Sequence, residues 1–388
     1  MILKKNKLAI AEPEPGSKYG PKEMYIAIRE VLKYTTYNKF NYKNQITEFE
    51  KKFAEYIGVH YAVAVSGGGV AMDMILKSLD LSSDDEIISS AISFPGTHLS
   101  ILNSGAKMIL CNCNETLNIS PDSLKSVITS NTRAVVITHM NGLSCNMNKI
   151  MEVIDEQEKK FNIKIKLIAD SARTCGGKYN EKKTGSFEWA TIFSFQRKKQ
   201  ITTLGEGGMI VTNDYNLYQQ LLCMRSFGNG IQWGTNYKLT NIQAAIGICQ
   251  LKKLNCLNNK RRKIAHKRTN TLKKYLPDFV YPQDNFMYYN TYYLYTLLVP
   301  DNWSEKMRDE LIAELKNSYN IGCCVGNDVS YKKNAYIRAR IHPYNLENSE
   351  KIGARVICII IHPHLTYFQQ KYINKSFIEA VTKIRKQL

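Results

Sequence analysis

Apolar positions along the chain follow two rhythms. Phe49, Phe53 and Tyr56 recur at i, i+4 and i+7, one face of a helix, and Tyr61-Ala62-Val63-Ala64-Val65 follows as an unbroken apolar run that predicts a strand. Helical spacing returns from Met72 to Leu79. Short apolar runs then appear at 86–88, 107–111, 134–138, 165–169, 191–195 and 209–212. Continuous rather than alternating runs mark strands buried on both faces, so the pattern predicts an α/β fold whose mostly parallel sheet lies between helices. The texture changes after Gly247. Residues 250–277 contain no acidic residue but carry Lys252, Lys253, Lys260, Arg261, Arg262, Lys263, Lys267 and Arg268, and read as a long helix leading to a second domain. Within that domain, 292–299 predicts a strand and 377–388 a closing helix. The expected division is a large domain over 1–248 and a smaller α/β domain over 249–388.

At 388 residues the chain can bury two cores. Its 53 lysines and arginines against 34 acidic residues give a net charge of +19, which steers anionic ligands and permits nonspecific nucleic-acid contact. Only 252–268 concentrates that charge, and no aromatic interleaving accompanies it, which argues against a nucleic-acid-binding module. Residues 1–7 carry charge without an apolar core, and the longest aliphatic run, 356–361, is far too short to cross a bilayer. The expectation is a soluble, cytoplasmic protein with no membrane partner. The ten cysteines include Cys111 and Cys113 and the pair Cys323-Cys324, but no Cys-x-x-Cys and no paired histidine spacing, so reduced thiols are expected and no metal site.

Three segments carry candidate chemistry. Phe193-Ser194-Phe195-Gln196-Arg197-Lys198-Lys199, followed by Gly205-Glu206-Gly207-Gly208, delivers a lysine from a strand end into a glycine-rich loop. In a partly dry pocket Lys199 would lose its proton readily, and only the neutral amine attacks a carbonyl; the other reading is a solvated lysine beyond a buried strand. The run 166–170 ends in Asp170, followed by Ser171-Ala172-Arg173. A carboxylate so placed suits the ring nitrogen of pyridoxal 5'-phosphate, though alone it equally suits a helix cap. Third, the strand 61–65 runs into Ser66-Gly67-Gly68-Gly69 and a helix, which aims backbone N–H groups at an anion. That loop fits neither the Walker nor the dinucleotide glycine spacing.

In this order the three segments resemble the DegT/DnrJ/EryC1/StrS sugar aminotransferases, members of the fold-type I pyridoxal-phosphate enzymes. Further matches are Ile46 to Gly58, Asp85-Glu86-Ile87-Ile88, Ser93-Phe94-Pro95-Gly96-Thr97, His139-Met140-Asn141-Gly142 and Asn236-Tyr237-Lys238-Leu239-Thr240-Asn241-Ile242-Gln243-Ala244-Ala245-Ile246-Gly247. The resemblance implies a large domain with a seven-stranded sheet, pyridoxal 5'-phosphate as cofactor, and a keto sugar, in the first place a nucleotide-linked keto-deoxy sugar of surface-polysaccharide or natural-product biosynthesis, that receives an amino group from glutamate or glutamine. By position it implies that Lys199 is the Schiff-base lysine and Asp170 the partner of the ring nitrogen. Phe94 would lie on the ring, and Ser194 with Ser66, Gly67, Gly68 and Gly69 would cradle the phosphate. Asn236 would reach a neighbouring subunit's phosphate site in a homodimer.

Four positions depart from the family pattern. Gly69 stands where threonine is usual, and Lys238 where arginine is, losing the bidentate fork. Gln196 replaces the common histidine or tyrosine and leaves a cyclitol or a sugar without a nucleotide open as substrate. Arg173 replaces a glutamine or histidine beside the cofactor's phenolic oxygen; it either places a cation there or turns outward. Relatives that dehydrate a sugar carry histidine where this chain has Lys199. Lys199 and Asp170 together also argue against a non-catalytic regulatory relative. The roles of His139, Glu206 and Tyr237 stay open, His139 being as well suited to structural hydrogen bonding.

Overall fold

The computed structural model describes residues 18–35, 44–341 and 345–386. Residues 1–7, read above as lacking an apolar core, and the last two positions of the expected closing helix lie outside them. Each predicted run forms a strand, with ends shifted by a residue or two: β1 (Tyr61–Val65), β2 (Glu86–Ser90), β3 (Lys107–Cys111), β4 (Thr132–Thr138), β5 (Lys166–Asp170), β6 (Ala190–Ser194) and β7 (Gly208–Thr212). They build one sheet in the order β1-β7-β6-β5-β4-β2-β3. Neighbours from β3 to β6 pair in parallel, whereas β7 is antiparallel to both β6 and β1. Running backwards between them, β7 leaves β1 pointing the same way as β6, so six strands end at one edge.

The unbroken apolar runs are explained by burial on both faces: Val135, Val136 and Ile137 of β4 are wholly inaccessible. The helix Gln45–Ile57 starts at Asn44, whose side chain accepts from the N–H groups of Ile46 and Thr47, and presents Phe49 and Phe53 to Phe193 and Phe195. Asn146 and Asp214 cap the helices Met147–Phe161 and Tyr215–Arg225 in the same way.

The predicted long helix is Asn241–Tyr275, opened by a capping box between Thr240 and Gln243. It runs unbroken across position 248, so the division expected there falls inside one helix. Its basic cluster is only partly a surface feature. Arg261 and Arg268 are buried, Arg268 donating to Ile360 O at 2.7 Å and lying 5.0 Å from the Tyr295 ring, while Arg262 pairs with Asp284 at 2.8 Å. These cations serve packing, which weakens further a nucleic-acid role.

The smaller sheet comprises β8 (Tyr295–Leu298), β9 (Cys323–Cys324) and β10 (Val356–Ile359) in the antiparallel order β8-β10-β9, packed with the helices Glu305–Tyr319 and Tyr367–Arg385. Two expectations need correction. The closing helix begins at Tyr367, ten residues earlier than its apolar pattern indicated, because Thr366 and Gln369 form a capping box there. The strand expected over 292–299 is only β8. Thr291 and Leu294 donate to Gly142 O and Asn141 O of the large domain, and Tyr292 adopts a left-handed backbone with φ 48°. The segment is thus bound to the neighbouring domain instead of to another strand. No described helix is long and apolar enough to cross a membrane. All ten cysteines are free thiols.

Candidate active site

At the carboxyl edge of the large sheet a cavity of about 790 Å³ opens between the two domains. Ser66, Gly67, Gly68, Gly69, Phe94, Asp170, Arg173, Ser194 and Lys199 all line it. Of the expected site residues only Asn236 does not; it is exposed, bridged to Ser226. A separate pocket of about 70 Å³ beside Met140 and Leu297 is too small for a cofactor.

One end of the cavity is an anion cradle. Strand β1 stops at Val65, Ser66 N donates to Tyr237 O, and the helix Gly68–Lys77 begins with Gly67 as its cap. Gly67 offers no side-chain acceptor to the N–H groups of the first turn, and Gly67, Gly68 and Gly69 line the cavity at the helix's positive end. Gly68 is required by close approach: a Cβ there would lie 2.9 Å from Ser194 Cβ. Glycine lets the strand end of β6 bring the Ser194 hydroxyl against the loop. Around Gly69 a Cβ would meet no atom within 4 Å, so no neighbouring side chain stands in for the threonine hydroxyl expected there.

Asp170, the last residue of β5, is 5% exposed. Thr97 Oγ1 donates to its Oδ2 at 2.7 Å and Ala172 N to its Oδ1 at 2.9 Å, which holds the carboxylate at the cavity floor. Phe94 caps the helix Pro95–Asn103, and its ring folds back over Gly96, where a Cβ would come within 2.6 Å of it. The ring stays 51% exposed.

Lys199 lies five residues past the end of β6. Phe195 N donates to Gly207 O and Arg197 N to Gly205 O, while Lys199 N closes a turn onto Gln196 O at 2.8 Å. Gln196 Oε1 accepts from Lys198 N, so this side chain shapes the loop as well as lining the cavity. Burial, reinforced by the Arg173 charge, pulls the Lys199 ammonium down to about 7, against the opposing pull of Asp170 and Glu206. Lys199 is therefore a cavity-lining amine that loses its proton readily and not a solvated surface cation.

Arg173 turns inward. Its Nη1 donates to Asn141 Oδ1 at 2.8 Å and to Asn327 Oδ1. Its guanidinium lies 5.3 Å from the Tyr293 ring and 6.0 Å from that of Phe94, and Lys199 Nζ lies 5.2 Å from the same Tyr293 ring. His139, by contrast, is withdrawn from the cavity. Its Nε2 lies 2.8 Å from Glu188 Oε1 and its Nδ1 accepts from Cys145 N, so both nitrogens are used structurally. Glu206 lines the cavity rim, and its carbonyl accepts from Thr203 Oγ1 and Gln243 Nε2, which pins the glycine loop. Tyr237 contributes its carbonyl to Ser66 N. Lys238 lies 5.2 Å from the Phe227 ring.

Sequence reasoning assigned no role to Thr97, Tyr293 or Asn327. A hydroxyl in the first turn after Phe94 was a usable signal for Thr97. Tyr293 was hidden in an apparent strand, and nothing local marks Asn327.

The cavity fits a phosphorylated pyridine aldehyde: an anion cradle at one end, a two-donor carboxylate at the floor, an aromatic face, and a deprotonatable amine. A seven-stranded, mostly parallel sheet with such a cavity at its carboxyl edge defines a fold-type I pyridoxal-phosphate enzyme. The profile of the DegT/DnrJ/EryC1/StrS aminotransferase family matches residues 21–378, and the chain belongs to that family. GDP-perosamine synthase of Escherichia coli O157:H7 is 32% identical over 345 residues, 87% of this chain and 90% of that protein. The spore coat polysaccharide biosynthesis protein SpsC of Bacillus subtilis is 31% identical over 318 residues, 77% of each. Among solved structures, Helicobacter pylori PseC, an aminotransferase involved in the biosynthesis of pseudoaminic acid, superposes with a TM-score of 0.85 at 25% identity, covering 96% of this chain and 99% of that one. The protein is a pyridoxal 5'-phosphate-dependent aminotransferase.

Proposed function

We propose that the enzyme transfers the amino group of glutamate, or of glutamine, to the carbonyl of a nucleotide-linked keto-deoxy sugar. Lys199 carries the reading: a half-buried amine with its pKa lowered to about 7, inside a cavity that also offers a carboxylate and an anion cradle. The similarity to GDP-perosamine synthase supports the nucleotide-linked acceptor.

In this assignment Lys199 would hold the cofactor covalently, Asp170 would keep its ring nitrogen protonated, and Phe94 would lie against its ring. Ser194 and the backbone N–H groups of Gly67 to Gly69 would hold its phosphate. When bound, pyridoxal 5'-phosphate supplies an electron sink for charge developing at the substrate carbon. Lys199 Nζ, close to neutral at physiological pH, then removes the proton at the donor carbon bearing nitrogen and later returns one to the sugar carbon. Asp170 needs its two donors because an unheld carboxylate would swing away from the ring. The Gly205–Gly208 loop orients the lysine through the Phe195 and Arg197 backbone bonds.

The holoenzyme should lose the absorbance of its lysine-linked cofactor on adding L-glutamate and regain it on adding a GDP-linked keto-deoxy sugar, with ping-pong kinetics. A protein that responds to neither glutamate nor glutamine would end the aminotransfer assignment. Recovery only with a cyclic ketone lacking a nucleotide would overturn the acceptor.

The same proposal includes a homodimer. Asn236 is exposed and does not line its own subunit's cavity, and Phe94, Leu204, Ile231 (84% exposed) and Trp233 leave large apolar surface uncovered, as do Met24, Tyr25, Ile28 and Leu32 of the helix Pro21–Thr35. A second copy would cover such surface and bring its Asn236 to the phosphate cradle. Sedimentation is expected to show a dimer, and a double Ile231→Asp, Trp233→Asp variant is expected to dissociate and bind the cofactor more weakly. A native monomer with full cofactor affinity would contradict this.

A further inference from the structure

Arg173 lines the cavity with a charged side chain. Among the described residues it makes no ion pair. Its protein acceptors are two neutral amide oxygens, Asn141 Oδ1 and Asn327 Oδ1, and both act on one nitrogen, Nη1. Those amides are themselves fixed. Asn327 Nδ2 donates to Ser93 O at 3.0 Å, and Asn141 Nδ2 donates to Thr296 Oγ1 at 3.0 Å. The guanidinium also lies near the rings of Tyr293 and Phe94, at 5.3 Å and 6.0 Å from their centres. With Nη1 occupied, Nε and Nη2 form an edge with two parallel N–H groups, the geometry that matches a carboxylate bidentately.

The cost of this arrangement indicates what it is for. Arg173 depresses the neighbouring Lys199 and so places a second cation in a site that already desolvates one. Asp170 and Glu206 line the same cavity, but among the described residues neither forms an ion pair with Arg173, so the guanidinium still gains from an arriving anion. The phosphate cradle is formed elsewhere, by the Ser66–Gly69 loop and Ser194. Lys199 Nζ and the Arg173 guanidinium lie 5.2 Å and 5.3 Å from the centre of one Tyr293 ring, and the Arg173 charge acts on Lys199, so both cations border the same part of the cavity. An α-amino acid carries an amine and a carboxylate on one carbon.

We infer that Arg173, oriented by Asn141 and Asn327, is the specificity-determining residue that receives the α-carboxylate of the amino donor. This rests on the aminotransfer reading above. The residue distinguishes an α-amino acid from a plain amine, and no covalent change is required of it.

The test compares two donors on the holoenzyme: L-glutamate and its α-amide, which has the same amine and side chain but a neutral carboxamide. The donor half-reaction is followed by loss of the lysine-linked cofactor absorbance across donor concentration. Wild type is expected to favour glutamate on the order of 10²-fold in kcat/KM, most of it in KM. In Arg173→Gln that preference should collapse toward unity, and in Arg173→Lys it should partly return, since charge is kept but the fork is lost. Arg173→Gln also releases Lys199 from a neighbouring charge, but both donors use the same lysine, so the donor ratio cancels that effect. Cofactor binding and thermal melting of each variant verify folding. An unchanged ratio in Arg173→Gln, with both donors slowed alike, would assign Arg173 to the cofactor alone and overturn the inference while leaving aminotransfer intact. A wild-type enzyme that reacts with neither donor would overturn both.

Discussion

Lys199→Ala is expected to lower aminotransfer by at least about 10³–10⁴-fold, because one substitution removes both the amine that would hold the cofactor and the acid–base group at the substrate carbon. The variant should still bind pyridoxal 5'-phosphate through the Ser66–Gly69 loop and Ser194, but without the absorbance of a lysine-linked cofactor. A variant that keeps that absorbance would place the linkage on another lysine. The wild-type pH dependence follows from the same side chain. With the ammonium depressed to about 7, the reactive neutral amine accumulates as pH rises through about 7, so cofactor linkage to the apoenzyme should be slow below and level off above. Lys199 also carries fewer protons in the folded apoenzyme than in the unfolded chain between about 7 and the ordinary lysine value of 10.5, so this residue contributes a rise in stability with pH across that window. In Lys199→Ala this component of the rise should vanish in urea titrations at several pH values.

Asp170→Asn is expected to cost roughly 10²–10³-fold in kcat, comparable to removing one preorganised electrostatic contact. The asparagine fits the same space but lacks the negative charge that would keep the cofactor ring nitrogen protonated. The Thr97 and Ala172 donors also face an amide in place of a carboxylate: Asn Oδ1 can accept from only one side of the group, while Nδ2 opposes a donor. The loss should fall on kcat, with cofactor affinity reduced less. Wild-type turnover in Asp170→Asn would mean that the ring nitrogen is met by another group.

Much of this enzyme was legible locally. A strand buried on both faces must be apolar along its whole length, so the seven runs stood out against the helical spacings around them. The glycine loop, the strand-end carboxylate and the lysine beyond 191–195 sit at the ends of those runs, where backbone geometry alone brings them to one edge. Element ends were less legible. The helix Tyr367–Arg385 extends over residues whose start depends on a cap formed by Thr366 and Gln369, and its first turns are not strongly amphipathic.

Sequence by itself determined the strands, which depend on burial, and the Ser66–Gly69 loop, Asp170 and Lys199, which stand at or just beyond strand ends; Phe94, Arg173 and Ser194 followed from the collinear motifs that the chain shares with its family. Tertiary structure alone decided the direction of Arg173, the retreat of His139 to Glu188, and the entry of Tyr293 and Asn327 into the cavity. It also decided the state of Lys199. Apart from the His139–Glu188 contact, which forms within the large domain, these outcomes depend on contacts between residues 94, 141, 173, 199, 293 and 327, where the smaller domain packs over the sheet edge. Periodicity records which side of an element is buried but not which distant side chain it meets, and desolvation of a charge is a property of that meeting.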